Sequence, residues 1–250
     1  MLQRAELRVA GRLLTMAAGS VVGNRYPVNY DVVHLDDARP LAVVADGMGD
    51  GPGSAAAGRT AVDVFVTEAV ASAPGLRAAV AEVQARVRAA GAGLSELTGC
   101  TLTAFLAAPD GDAWLVQLGD SRVYRLRAGL LELLTTDHTM AWLGAVHGWW
   151  PAGSAEALAA RYRLTRYAGH PGSPEPDVLS VTLRPGDIYL LCTDGLAEQV
   201  SHARLTGVLQ GTYDPGRAVT TLLTDSLTAG GDDNATAVVI RVRTGETAHG

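Results

Sequence analysis

Three apolar runs in this chain stop on an aspartate beside a glycine: LAVVADG (41–47), AWLVQLGDS (113–121) and DIYLLCTDG (187–195). A fourth case is the mirror image, GGDDNATAVVI (230–240), in which Asp232 and Asp233 come just before the run. Runs this short, bounded by turn residues and rich in Val, Leu and Ile, read as β-strands rather than helices. Strand ends in one layer lie close together, so any fold that pairs these runs can gather the acids at one edge. Converging carboxylates without matching cations repel one another unless a divalent metal sits between them. A single Asp-Gly is a turn, and Asp46 alone could cap a helix starting near Ser54. Four acids in the same strand-end setting point past turn-making to a metal site.

The remaining composition narrows the chemistry. Every basic residue is Arg, since the chain has no Lys. That excludes a P-loop, a pyridoxal Schiff base and a kinase strand lysine. The six histidines show no metal-ligand spacing, so an oxygen-only ligand set suits Mg²⁺ or Mn²⁺ rather than Zn²⁺. The glycines after Asp46 fit no dinucleotide fingerprint, because G-x-G-x-x-G read from Gly47 needs glycine at Pro52, and read from Gly49 needs it at Ser54. GDSRV (119–123) lacks the closing glycine of a nucleophile elbow. A net charge of −6, with no Arg-dense run, gives no attraction for nucleic acid or acidic membranes. Cys100 and Cys192 sit inside apolar runs and read as reduced, buried thiols. Arg4, Arg8 and Arg12 before LLTMAAGSVVG faintly imitate a secretory leader, but Glu6 and the short apolar part favour a first strand. No run reaches the ~18 apolar residues of a membrane span. These features together predict a cytoplasmic monomer.

Strands are expected at 41–45, 100–107, 113–119, 123–129, 187–193 and 235–243, and helices at 54–72, 75–90, 198–209 and 215–228. Tight turns such as APDGD (108–112) favour antiparallel pairing, and helices flanking antiparallel strands predict α+β layers. One domain is expected over 10–244, with 245–250 as a frayed tail. The stretch 139–175, with HGWW, GHPGSPEP and a possible helix at 154–163, reads as a flap.

In order along nearly the whole chain, RYPVNYD, VVADGMGDGPGSAAAG, GCTLTAFL, LGDSRVYRLRAGLLELLTTDHT, LRPGDIYLLCTDGL and GGDDNATAVVI resemble the segments of bacterial metal-dependent serine/threonine protein phosphatases of type 2C. The resemblance implies a four-layer αββα sandwich, two antiparallel sheets flanked by antiparallel helices. It also implies two core Mn²⁺ or Mg²⁺ ions. Asp46 would bridge them, the Gly47 carbonyl and Asp233 would complete the first site, and Asp194 would join Asp46 and Asp233 at the second. Asp120, with Asp194, would contribute to a third ion. Arg25 would grip the phosphate, Asp31 would orient metal-bound water, and Asn234 would order the turn that aims Asp233. Asp137 and His138 would finish a hairpin or serve as an acid.

The activity so implied is hydrolysis of phosphoserine and phosphothreonine by direct attack of a metal-bridging water, on the protein substrates of serine/threonine kinases. A small phosphate monoester as substrate, or a pseudophosphatase that binds without turnover, are the alternatives. The departures from the family pattern are Tyr30 where an acid usually precedes Asp31, an Arg25-to-Asp31 spacing one residue longer than expected, Asp50 at a common glycine position, and Cys100 for a threonine.

Overall fold

The structure, a computed structural model, describes residues 2–245. The chain begins with strands β1 (Gln3–Val9), β2 (Arg12–Val21), β3 (Val32–Leu35) and β4 (Leu41–Ala45), then helices α1 (Pro52–Glu68) and α2 (Ala73–Ala90). Strands β5 (Leu102–Ala107), β6 (Asp112–Leu118), β7 (Arg122–Arg127) and β8 (Leu130–Leu133) follow, then α3 (Met140–His147), α4 (Ala155–Ala159) and a 3-10 turn at Ala160–Tyr162. The remainder is β9 (Asp177–Thr182), β10 (Ile188–Cys192), α5 (Asp194–Ala197), α6 (His202–Gly211), α7 (Pro215–Thr228) and β11 (Ala235–Thr244).

The strands form two antiparallel sheets, one of six strands in the order β1-β2-β11-β10-β7-β8 and one of five in the order β3-β4-β5-β6-β9. Helices α1 and α2 cover the outer face of the five-stranded sheet, and α6 and α7 cover that of the six-stranded sheet. The result is the expected αββα sandwich. Its middle layers explain the unbroken apolar runs, because an inner strand is covered on both faces. In β4, Leu41, Val43 and Ala45 meet Ala57, Ala61 and Phe65 of α1, while Ala42 and Val44 face the other sheet. Between the sheets the rings of Phe105 and Tyr189 lie 5.4 Å apart, and truncating a buried Phe of this kind costs about 3–5 kcal/mol.

Local chemistry shifts several boundaries from the sequence expectation. Helix α1 starts at Pro52, where a fixed φ suits the first turn. The Ser72 side chain accepts from the Gly75 N–H and starts α2. The helix expected at 198–209 is α6, which starts later because Ser201 accepts the Arg204 N–H and caps it, and the short α5 precedes it. Cys100 stands outside β5 and makes isolated bridges to Gly47 and Ala168 instead.

The first strand expected at LLTMAAGSVVG is β2, and four further strands are additional to those expected. In β1 the residues alternate, with Arg4, Glu6 and Arg8 toward solvent and Ala5 and Leu7 against the core. Of the leader-like arginines, Arg4 and Arg8 are therefore the charged face of an edge strand, a common guard against edge-to-edge pairing, while Arg12 opens β2. Short β3, β8 and β9 also belong to the sheets. In the 139–175 stretch, Thr139 caps α3 by accepting the Trp142 N–H, and α4 with its 3-10 turn covers the helix expected at 154–163. The tail proposed at 245–250 lies, beyond Gly245, outside the described residues.

Candidate metal centre

Both sheets deliver acids to one end of the sandwich. Asp46 follows β4 of the five-stranded sheet, Asp120 sits where β6 crosses to β7 of the other sheet, Asp194 follows β10, and Asp233 precedes β11. All four, with Gly47, line one cavity of about 260 Å³. Asn234 and Thr101 share its wall, Tyr26 and Tyr30 stand on one side, and Tyr162 and Leu164 reach in from the flap.

Backbone constraints hold each acid. The Asp46 N–H donates to Thr101 Oγ1 (2.9 Å), and the Thr101 N–H donates back to the Asp46 carbonyl (2.8 Å). The hydroxyls of Thr101 and Ser121 lie 2.8 Å apart, which couples the Asp46 turn to the Asp120 turn. Gly119 has φ +114°, and a Cβ there would meet Thr101 Cγ2 at 2.6 Å. That conformation and that close approach leave glycine as the fitting residue before Asp120. His138, buried, braces the same turn: its Nδ1 accepts from the Gly119 N–H (3.1 Å) and its own N–H donates to the Gly119 carbonyl (3.0 Å). With Nδ1 accepting, the proton belongs on Nε2, which lies 3.1 Å from Asp177 Oδ2. Asp137 is held in a two-pronged pair by Arg122.

On the other sheet, Asp233 Oδ1 accepts the Asn234 N–H (2.8 Å). Asn234 Oδ1 accepts the Gly23 N–H (3.2 Å), and its amide donates to the Val28 carbonyl (3.3 Å). Gly23 and Gly195 both press on this turn, since a Cβ on either would collide with the backbone of Asp233 or Asn234. Asp31 lies behind the cavity. Its Oδ2 accepts the hydroxyls of Thr193 (2.9 Å) and Thr236 (2.7 Å), joining the start of β3 to the ends of β10 and β11.

The electrostatics are those of an uncompensated acidic cluster. Burial, with the charges of Asp31, Asp194, Asp120 and Asp233 added, holds the Asp46 carboxyl well above the ordinary carboxylate range. Burial and the Asp194 charge do the same to Asp120. Asp194 is pushed up to about 6 by burial and by Asp233. Asp31 is raised to about 7 by burial, although the two hydroxyls pull it down. Asp233 is raised by burial and partly relieved by the Asn234 N–H and the Arg25 charge.

A divalent cation fits this cavity. The wall carries four carboxylates and no cationic side chain, and Asp194 Oδ1 is buried without a hydrogen-bond partner. An orphaned anionic oxygen facing other acids is costly unless a cation answers it. Among the described residues no three His, Cys, Asp or Glu close on a ready-made cage. The carboxylates instead surround an open cavity, an arrangement with room for more than one ion and for water.

Arg25 is exposed at the rim, with its guanidinium carbon 5.2 Å from the centre of the Tyr26 ring. Its side chain does not line the cavity wall, though its charge reaches Asp233. Tyr30 OH donates to the Asp50 carbonyl (2.6 Å), so two departures from the family pattern meet and tether the glycine loop. The sequence reading missed Thr101 and Ser121 as linkers. Ser121 directly follows Asp120 and so carried a signal, whereas Thr101 stands in the acid-free run CTLTAFLA and carried none.

An αββα sandwich with four carboxylates gathered in one cavity across the ends of its two sheets places the chain in a class of sandwich folds with an acidic, cation-ready site. Within that class the chain belongs to the protein phosphatase 2C family, whose model matches residues 29–229. It is 37% identical over 145 residues to the serine/threonine protein phosphatase PstP of Mycobacterium tuberculosis, a match spanning 58% of this chain and 27% of PstP. It is 28% identical over 228 residues to the serine/threonine phosphatase stp of Listeria monocytogenes, covering 85% of this chain and 88% of that protein. The crystal structure of M. tuberculosis PstP superposes with a TM-score of 0.82 at 31% identity, over 92% of this chain and 99% of that one. The PstP catalytic domain in complex with two manganese ions superposes with a TM-score of 0.80 at 31% identity, over 93% and 99%.

Proposed function

We propose that the chain is a Mn²⁺- or Mg²⁺-dependent phosphatase that removes phosphate from serine and threonine in proteins, acting in the cytoplasm. The observation that carries this reading is the meeting of Asp46, Asp120, Asp194 and Asp233 in one cavity, with the Asp194 oxygen unpartnered. Asp46, Asp194, Asp233 and the Gly47 carbonyl would hold two ions, and Asp120 with Asp194 a third. The crystal structure of the related PstP domain, described as a complex with two manganese ions, supports two. When bound, such ions acidify water and neutralise charge on the phosphoryl oxygens.

The chain's own groups do the rest. Arg25, exposed and stacked on Tyr26, offers a two-pronged donor to phosphate arriving at the rim. Asp31 has one carboxylate oxygen held by the Thr193 and Thr236 hydroxyls, which would leave the other to orient water at the ions. Tyr26, Tyr30, Tyr162 and Leu164 narrow the mouth and limit water around the reacting phosphate. The two cysteines are free and buried, which supports a reducing compartment.

The test is Mn²⁺-dependent hydrolysis of p-nitrophenyl phosphate and of a phosphothreonine peptide, with Mn²⁺ binding followed by calorimetry. Asp46→Ala and Asp233→Ala are expected to lose both activity and ion binding. Absence of hydrolysis with any divalent metal would overturn the reading.

A further inference from the structure

A second cavity, of about 460 Å³, opens on the far side of Asp120 and Asp194 and shares both carboxylates with the first. The two spaces therefore adjoin across these carboxylates. From the flap, Ala141, Trp142 and Ala145 of α3 line it, and Leu133 at the end of β8 joins them. Its basic groups are already engaged. Arg122 Nη2 lies 2.6 Å from Asp137 Oδ2, and Arg161 Nη1 lies 3.7 Å from Glu198 Oε1. Thr135, Thr136 and Thr139 add hydroxyls to the wall, but most of what remains open to a guest is apolar: Trp142 is 48% and Leu133 46% exposed, and the two alanines leave the space between. Covering such surface with a guest's side chain releases water at a gain that grows with the apolar area removed.

An extended peptide advances about 3.3 Å per residue. With a phosphoryl group in the acidic cavity, the side chain one or two residues along reaches this second space. We infer that the cavity is a subsite for a large apolar side chain, of the size of Leu, Met or Phe, flanking the phosphoserine or phosphothreonine of a protein substrate. Trp142 and Ala145 set its shape and thereby the sequence preference of the enzyme. This inference rests on the phosphatase reading above.

The test compares kcat/KM for phosphothreonine peptides that differ only in their flanking residues, Leu, Gly or Asp, and takes the ratio within each protein. The native protein is expected to favour Leu over Gly by about tenfold or more, the discrimination an apolar pocket gives, and to disfavour Asp. Trp142→Phe should keep the preference. Trp142→Ala, which removes a wall, and Ala145→Gln, which fills the space from an exposed helix position, should each bring the ratio close to one. Equal kcat/KM for Leu and Gly peptides in the native protein would overturn the subsite, as would an unchanged ratio in both altered proteins. Hydrolysis of p-nitrophenyl phosphate separates the two readings. If it proceeds with Mn²⁺ while the peptides are not discriminated, the subsite alone falls. If neither it nor any peptide is hydrolysed, the phosphatase reading falls and takes the subsite with it.

Discussion

Replacing Gly23 by Ala perturbs the metal centre without touching an acid. A Cβ built on Gly23 would overlap the Asp233 carbonyl and stand 2.5 Å from the Asp232 carbonyl oxygen. Ordinary contact begins near 3.4 Å and the Asp233 carbonyl oxygen stands closer still than that of Asp232, so the 231–234 turn must retreat by more than 1 Å. Three hydrogen bonds resist that retreat: Gly23 N–H to Asn234 Oδ1, Asn24 N–H to the Gly231 carbonyl, and Arg25 N–H to the Asp232 carbonyl. A misplacement of about 1 Å at a catalytic group costs on the order of 100-fold in rate, and forcing a methyl into packed backbone costs about 1–3 kcal/mol. For a chain of this length that energy lowers the melting temperature by roughly 2–10 °C. Mn²⁺-dependent hydrolysis of p-nitrophenyl phosphate and thermal unfolding followed by circular dichroism measure the two effects. Gly207→Ala is the control, because Gly207 lies inside α6 and a Cβ there meets nothing within 4 Å. It should raise the melting temperature slightly, as Ala for Gly within a helix gains roughly 0.5–1 kcal/mol. Native activity and native stability in Gly23→Ala would refute the reasoning.

Asp194→Asn should stabilise the metal-free protein, because an acid raised from 3.8 to about 6 penalises the fold by at most about 3 kcal/mol at neutral pH. In EDTA the melting temperature should rise, and the further rise on adding Mn²⁺ should largely vanish; a lower melting temperature in EDTA would contradict this. His138 is held below its ordinary value, chiefly by burial, so the unfolded chain takes up its proton first. Stability from this group is therefore present above about pH 6.5 and lost as pH falls below it, with the lowered Asp177 adding a further loss at more acid pH. The difference in urea midpoint between native and His138→Gln should shrink as pH falls from 7 to 5. Gln84 is buried in α2 and binds the Tyr167 and Pro174 carbonyls and the Gly169 N–H. Gln84→Leu strands those backbone groups and should cost roughly 3 kcal/mol, with faster proteolysis confined to 163–176.

The parts of this fold that were legible in the sequence are those where one physical cause dominates. LAVVA, LTAFLA and IYLLC are buried on both faces, so hydrophobicity alone marks them as inner strands. The acids after or before such runs had to gather wherever the strands ended. Edge elements gave weaker signals: β1 shows half its residues to solvent, and β8 leaves Leu130 and Leu133 exposed. Nothing local in Tyr30 or Asp50 says that a hydroxyl will meet a carbonyl 20 residues along. The same holds for Arg25, whose type suggests phosphate but whose place at the rim, over Tyr26, depends on how the 23–28 loop is tied to Asn234.

The acidic cavity draws its walls from both sheets, with Asp46 hanging from one and Asp194 and Asp233 from the other. Ion binding there would act as a clasp on the gap between the sheets, a gap filled elsewhere by Phe105 and Tyr189. The two are thermodynamically linked: whatever alters the inter-sheet spacing alters ion affinity, and a bound ion in turn stiffens that spacing. A change as remote as Phe105→Leu, which thins the filling, will therefore register in a Mn²⁺ titration although every ligand is intact.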